Sequence, residues 1–265
     1  MPEGDTVFLA GHRLDEALAG KALLRAELRH PRLPSGALSG RSVIGVRSVG
    51  KHLLMRFSGD LSLHSHFRMD GAWHLYRPGQ KWQRPAHQVR AVIEVENRIA
   101  IGFALHDMEL VPTSEEHRLV GHLGPDLLGE DWSDEDLHEA ARRLAADPAR
   151  QLGPALLDQR VMAGVGNLYK TEVCFLLGAS PWAPVSAIDP VEAVRLSRKL
   201  LLANAWAPEQ STTGQRGRGH EHWVFERSGK PCRKCGDRIA TETQGDDYMA
   251  RISYWCPTCQ RFASS

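Results

Sequence analysis

Four cysteines near the C-terminus follow the spacing C-x2-C-x20-C-x2-C: Cys232, Cys235, Cys256 and Cys259. Each pair suits a tight knuckle, with Pro231 and Gly236 bracketing the first and Pro257 inside the second. Soft thiolates select zinc or an iron–sulfur centre over harder ions. Four of them complete a tetrahedron and leave no open position, so one structural Zn2+ is expected, held apart from any chemistry. The intervening residues, Arg238–Trp255, can form a β-hairpin carrying Arg251, which is either a surface arginine or a phosphate ligand. The fifth cysteine, Cys174, lies among Val173, Phe175 and Leu176 and is expected as a buried apolar side chain.

The rest of the chain changes texture once. Asp5 or Thr6 is expected to cap a first helix with Val7, Ala10, Leu14, Ala17 and Leu18 on one face, stopped by Gly20. Short alternating segments follow: Ala22–Leu28, Ser42–Val46, His52–Phe57, Leu61–His66, Gln88–Val95 and Arg98–Phe103. Gly59-Asp60 and Asn97-Arg98 read as hairpin turns. Closely spaced short strands predict a β-sandwich or barrel, ending near Pro125. Helices then take over. Ser133 and Asp136 form a capping-box pattern ahead of Leu137, Ala140, Ala141 and Leu144. Further helices are expected at Pro154–Asp158, Asn167–Leu177 and Pro190–Trp206, and Ser211–Gly219 reads as a loop or linker. The fold class is α+β: an N-terminal helix and β-sandwich domain over 1–125, a helical domain over 126–210, and a loop with the four-cysteine finger over 211–265.

The N-terminus offers chemistry. The order Met1-Pro2-Glu3 puts a secondary α-amine at the start of the chain if Met1 is removed. An imine requires an unprotonated nitrogen. An α-amino group titrates near 7.7–8.0 and a lysine near 10.4, so at neutral pH the terminal amine is neutral roughly several hundred times more often. Pro2 would give a charged iminium, an electron sink, with Glu3 beside it as proton shuttle. On its own, Pro2 equally well just follows the start codon. The segment Ala163-Gly164-Val165-Gly166-Asn167 lies between two helices. It is either a helix–turn–helix hinge capped by Asn167 or a phosphate clamp at a helix N-terminus. It matches neither a dinucleotide-binding fingerprint nor a P-loop.

Taken in order, these segments resemble the formamidopyrimidine-DNA glycosylase/endonuclease VIII family of base-excision repair enzymes. The matching stretches are Pro2-Glu3, Ser48 through Leu54, His66 through Gly71, Gly164 through Tyr169, and the finger with Arg251. The MPEG start and the short Ser211–Gly219 loop look closer to the endonuclease VIII branch. The resemblance implies an N-terminal helix plus β-sandwich, then a helix–two-turn–helix domain with a zinc finger. It implies a bifunctional glycosylase and lyase: Pro2 attacks C1′, Glu3 shuttles protons, and Lys51 donates a proton and touches phosphate. Elimination then follows, with Asn167 and Arg251 as paired phosphate ligands. His66 becomes a phosphate contact, Met69 an apolar wedge in the emptied stack, and His122 a DNA contact where arginine is frequent in the family. Without the resemblance, Lys51 is a strand-edge lysine, His66 a satisfied histidine and Met69 core filler. Asp5-Thr6 and Asp70 depart from the family pattern and bear on lesion preference.

The resemblance also implies a partner: double-stranded DNA with a damaged base, oxidised pyrimidines favoured, or an abasic site. The formal net charge of +1 is low for such a partner, although residues 1–125 and 210–265 each carry +3 and residues 126–209 carry −5. No apolar run is long enough for a membrane span and the first residues are polar, so a cytoplasmic, nucleoid-associated monomer without a signal peptide is expected. Three readings compete with this one: a noncatalytic damaged-DNA-binding protein of the same fold, an oxidised-purine glycosylase, and a zinc-ribbon RNA-binding module. The intact Pro2, Glu3 and Lys51 argue against the first, and the unexplained N-terminal half argues against the last.

Overall fold

The computed structural model describes residues 2–34, 36–245 and 250–261. They divide into two compact units, Met1–His122 and Leu123–Ser265. The element order is α1 (Gly4–Leu18), β1 (Leu23–Leu28), β2 (Val43–Val49), β3 (His52–Phe57), β4 (Leu61–His66), β5 (Ala72–Tyr76), β6 (Val89–Val95), β7 (Arg98–Phe103) and β8 (Asp107–Val111). Then come α2 (His117–Val120), α3 (Asp134–Ala145), α4 (Leu152–Leu157), α5 (Asn167–Leu176), α6 (Pro190–Asn204), β9 (Ala240–Gln244) and β10 (Arg251–Trp255).

In the first unit two antiparallel four-stranded sheets, ordered β1-β6-β7-β5 and β2-β3-β4-β8, make a sandwich. The inner face of the second sheet carries Val46, Leu53, Met55, Phe57, Leu63 and Met108, which join Ala91, Ile93, Val95, Ala100 and Trp73 of the first sheet in one core. Its outer face is polar, because strand residues alternate sides. Register sets Arg47 opposite Leu54, His52 opposite His66 and His64 opposite Glu109 there.

Helix α1 packs on the edge strand β2 and also reaches β5, the edge of the other sheet. Its cap is Glu3, with extended backbone and its carbonyl accepting from Val7 N at 3.1 Å, so the expectation of Asp5 or Thr6 is corrected. Asp5 lies inside the first turn and is buried. Two contacts fix how the helix lies. Gly11 leaves room for the strand backbone: a Cβ there would sit 3.3 Å from Ser48 N. Asp15 Oδ1 accepts from Val46 N at 2.7 Å. As the helix runs from 11 to 15 the strand runs backwards from 48 to 46, so the two are antiparallel.

The sequence misses β5 and β8 and stops β2 three residues early. Strand β8, Asp107-Met108-Glu109-Leu110-Val111, holds two acidic residues that disfavour a strand until β4 supplies the ladder. In the second unit the capping box at Ser133 and Asp136 is present, and α3 packs on α6. Helix α4 begins at Leu152, two residues before the expected Pro154, because proline is tolerated in a first turn. Helix α6 stops at Asn204, short of Trp206. The Asn204 side chain donates to Ser211 O and accepts from Ser211 N at 2.7 Å, folding the following segment back. Strands β9 and β10 form the expected hairpin inside Arg238–Trp255. Among the described residues no helix is long and apolar enough to cross a membrane.

One buried carboxylate fixes the last segment of the first unit. Glu116, ahead of α2, accepts from Arg56 at 2.6 and 2.9 Å, Arg47 at 2.9 Å and Ser62 at 2.7 Å. Burial by itself would raise this carboxyl, but the bonds from Arg56, Ser62 and Arg47 outweigh it and pull the group down to about 2. A depressed carboxylate stabilises the fold above its ordinary pKa and loses that contribution as pH falls towards the folded value. Both arginines are partly exposed, so the contribution is discounted to about 2 kcal/mol at neutral pH. Glu116→Gln is therefore expected to lower the stability of the first unit at pH 7 by about that amount. The gap to the parent protein should close between pH 4.5 and 2 in denaturant titrations; a pH-independent gap would refute the assignment.

Candidate active site and metal centre

Geometry in the first unit gathers the N-terminus and Lys51. Gly11 of α1 lies beside Ser48 of β2. From Gly11 back to Gly4 the helix rises about 10 Å. From Ser48 on to Lys51 the strand advances about 10 Å in the same direction. Pro2, Glu3 and the β2–β3 turn therefore occupy one end of the unit. Pro2 is half-buried and Glu3 is 1% exposed. Met1 lies outside the described residues.

That turn is two residues long, Gly50-Lys51, closed by the Val49–His52 pair. Gly50 has φ of +56° and Lys51 stays in the ordinary negative region, the pattern of a type II′ hairpin. Glycine at the first position thus holds Lys51 at the tip of a rigid hairpin. Behind Lys51 stands a group that sequence reasoning only half found. His52 Nδ1 lies 2.8 Å from His64 Nε2, and the rings of His66 and His122 meet His52 edge-on at 5.1 and 6.2 Å. His64 was missed; its signal was its place in the alternation His64-Ser65-His66 on a strand facing His52.

Met69 is 65% exposed, in the loop between β4 and β5, so it is not core filler. The loop is built rather than loose. Gly71 N donates to Phe67 O at 2.7 Å, Arg84 reaches Asp70 O at 2.6 Å, and Arg68 pairs with Asp107. Arg68 holds φ of +52°, an uncommon conformation for a side chain of its size.

In the second unit Asn167 and Arg251 come together at one place. Asn167 is the first residue of α5, and Gly166, not Asn167, is the cap. Its amide instead donates to Ile252 O at 2.9 Å, beside Arg251. Its Oδ1 is buried and has no hydrogen-bond partner among the described residues. Arg251 is half-buried at the start of β10. The glycine turn before α5 is stapled by Gln159, which accepts from Gly164 N at 3.0 Å and donates to Leu157 O and Val165 O.

Helix α5 is buried from Asn167 to Phe175, charged residues included. Lys170 Nζ donates to Ser253 Oγ at 2.6 Å. Ser253 donates to Gln244 Oε1 at 3.0 Å, and Gln244 donates to Gln151 and Pro181 O. Gly153 is needed beneath this chain, since a Cβ there would fall 2.3 Å from Gln244 Oε1. Glu172 accepts from Thr212 Oγ1 and from the amides of Trp223, Val224 and Phe225, each at 2.8 Å. Ser211 and Thr212 are accordingly buried, so the start of the Ser211–Gly219 loop is anchored. Sequence reasoning missed Lys170 and Glu172, whose only signal was two charges inside an otherwise apolar helix.

The sulfurs of Cys232, Cys235, Cys256 and Cys259 all lie within 4.8 Å of one another. Two of the separations are 3.9 and 3.4 Å. Bonds of about 2.3 Å to one tetrahedral ion put its sulfurs about 3.8 Å apart, so the four residues fit a single metal with no position left over. Gln260 Oε1 accepts from Cys256 N at 2.8 Å while its amide donates to Ala179 O, fastening the second knuckle to the helical part of the unit. Lys234 in the first knuckle lies 4.7 Å over the Phe175 ring. Cys174 is separate: burial pushes its thiol up to about 12, as befits an inert core residue.

Comparison with known proteins gives this arrangement a family. The model of the formamidopyrimidine-DNA glycosylase N-terminal domain matches residues 1–108, and that of the formamidopyrimidine-DNA glycosylase H2TH domain matches residues 123–215. A probable endonuclease 8 2 of Streptomyces coelicolor is 50% identical over 98% of this chain and 94% of its own length. The chain belongs to the formamidopyrimidine-DNA glycosylase/endonuclease VIII family, on its endonuclease VIII branch. It is accordingly a DNA-repair enzyme of the glycosylase and lyase class. A DNA-(apurinic or apyrimidinic site) lyase Nei2 of Mycolicibacterium smegmatis is 46% identical over 98% of this chain and 99% of its own length. The Lactococcus lactis Fpg, solved with an abasic site containing DNA, superposes with a TM-score of 0.80 at 21% identity, covering 98% of this chain and all of that one. At that identity the likeness speaks for the fold alone.

Metal analysis of the purified protein is expected to find one ion per chain. Replacing Cys232 and Cys256 together with serine should abolish retention through dialysis, because ligand loss from a closed site removes the energy that folds the finger. Full retention in that double variant would contradict the assignment.

Proposed function

We propose that this enzyme removes oxidised bases, pyrimidines foremost, from double-stranded DNA and cleaves the abasic strand through a Schiff base on Pro2. The observation that carries the reading is the antiparallel docking of α1 on β2, with the N-terminus and Lys51 at one end of the first unit. The preference for pyrimidines rests on the endonuclease VIII branch.

The chemistry follows from the groups present. With Met1 removed, the Pro2 nitrogen attacks C1′, the C1′–base bond breaks, and the sugar ring opens to an iminium. Glu3, buried beside it, is placed to take and return protons. Lys51 at the hairpin tip is placed to protonate a leaving group and to meet a phosphate. The iminium acidifies C2′, and loss of that proton expels the 3′ phosphate. A second elimination expels the 5′ phosphate. Asn167 and Arg251 supply backbone-phosphate contacts from the second unit, and exposed Met69 fills the space of the extruded base. The four cysteines hold one zinc ion, which keeps the finger folded and takes no part in the reaction.

Borohydride reduction with an abasic duplex should trap a covalent protein–DNA adduct. An uncleaved N-terminal extension should abolish it, because an acylated Pro2 nitrogen has no lone pair to give. Lys51→Met should keep the adduct on abasic DNA yet slow base release by about a hundredfold or more. No adduct from protein whose N-terminus is shown by mass spectrometry to be Pro2 would refute the lyase mechanism and favour a noncatalytic binder. Arg251→Ala should weaken duplex binding and reduce its salt dependence by about one phosphate contact.

A further inference from the structure

The four histidines behind Lys51 do more than fill space. His52 and His64 are stacked with ring centroids 5.1 Å apart at 24°, and Nδ1 and Nε2 stand 2.8 Å apart. His66 and His122 close in edge-on. His64 is 8% exposed, His52 and His66 are half-buried and His122 is exposed, so the cluster opens to the surface on one side. Four charged groups face it: Lys51 from the hairpin, Arg68 from the β4–β5 loop, and Asp107 and Glu109 from β8. The two acids are the register partners of His66 and His64, and Arg68 is paired with Asp107.

In this setting burial holds the His52, His64 and His66 rings towards the neutral form. Burial first, then the neighbouring histidines and Lys51, pulls His52 down to about 3; burial and then Arg68 pull His66 down to about 4. A hydrogen-bonded imidazole pair nevertheless accepts a proton well. One neutral ring already donates an N–H to the other. A second proton converts the contact into a charge-assisted imidazole–imidazolium bond with the same geometry. The two facing acids act to raise His64, but burial outweighs them and Asp107 is engaged by Arg68, so a bound anion adds to their counter-charge. One anion about 4 Å away, at surface-like dielectric, raises a neighbouring base's proton affinity about a thousandfold.

We propose that the His52–His64 pair, with His66 at its edge, is a phosphodiester site of the DNA interface, and that a phosphate bound there brings one proton from solvent onto the pair. The proposal rests on the DNA-repair reading above. It adds to it a second pair of binding residues and a proton as a component of the complex. The N–H bond forms on the pair, the buffer supplies the proton, and no other bond changes.

Calorimetric titration of the full-length protein with a duplex holding a tetrahydrofuran abasic analogue tests this. It is run near pH 6 at fixed salt in two buffers of different ionisation enthalpy. The expected uptake is about half a proton per complex at pH 6, with affinity rising about twofold from pH 7 to pH 6. His64→Gln keeps a hydrogen-bonding side chain but cannot be protonated. It should lose the uptake and, with it, the rise in affinity between pH 7 and pH 6; His52→Gln should do the same. His87→Ala, an exposed histidine outside the cluster, should leave the uptake intact. A parent complex that forms without proton uptake overturns the proposal alone, as does full uptake in both glutamine variants. Failure to bind the duplex at all overturns the repair reading and this site with it.

Discussion

The backbone contact between Gly11 and Ser48 sets how α1 lies along β2 in the first unit. A Cβ at position 11 would lie 3.3 Å from a backbone nitrogen of β2, so α1 and β2 would have to part by a few tenths of an ångström. The Asp15–Val46 bond adds direction, since it pairs a helix side chain with one particular strand amide. Together they fix the sliding of helix along strand, and everything at the N-terminus inherits that register. Glu3 is a cap whose carbonyl is held by Val7, so the first residues enter the helix along a defined path. Gly50, with φ of +56°, gives the β2–β3 turn a backbone conformation that other residues rarely adopt. Pro2 and Lys51 thus come to one end of the unit through two glycines and one aspartate.

The second unit solves a different problem, that of keeping a small metal-stapled hairpin at a fixed place. A finger with few apolar residues cannot dock by hydrophobic area alone. The structure uses buried polar bonds instead. Asn167 and Lys170, three residues apart on α5, hold β10 through Ile252 O and Ser253 Oγ. Glu172, whose carboxylate receives four donors, holds the chain that leads into the first knuckle. Such groups are costly to bury unless every partner is present. That cost is also their use: a hairpin displaced from α5 would break the buried bonds of Asn167 and Lys170 to β10, so the tolerated positions for Arg251 are few.

What was legible in the sequence was local. The strands His52–Phe57, Leu61–His66 and Arg98–Phe103 appear with the expected bounds because each is a short run bounded by turn residues. The capping box at Ser133 needs only residues three apart, and the cysteine spacing is its own signature. What was illegible depended on partners far along the chain. Strand β8 exists because β4 offers it a ladder; Glu116 is buried because Arg47, Arg56 and Ser62 converge on it from three strands. Asn167 was expected to cap its own helix, yet its amide serves a carbonyl 85 positions away. The histidine cluster was half legible for the same reason: His66 stood out by position, and His64 required knowing that β3 and β4 pair in the register that sets it diagonally across from His52.

Sheet alternation also explains how a chain of net charge +1 can face a polyanion. That formal count treats thirteen histidines as neutral, and ten of them fall within residues 1–122. Several arginines of the first unit are already committed: Arg47 and Arg56 to Glu116, Arg68 to Asp107, Arg25 and Arg29 to Glu27. Fixed positive charge is therefore partly spent inside the protein, while the outer face of β3 and β4 holds bases whose charge depends on what approaches them. Phosphate neutralisation is a local matter, decided within about a Debye length, so the relevant charge is the one present when the ligand is bound. On that face the free protein's charge is a lower bound.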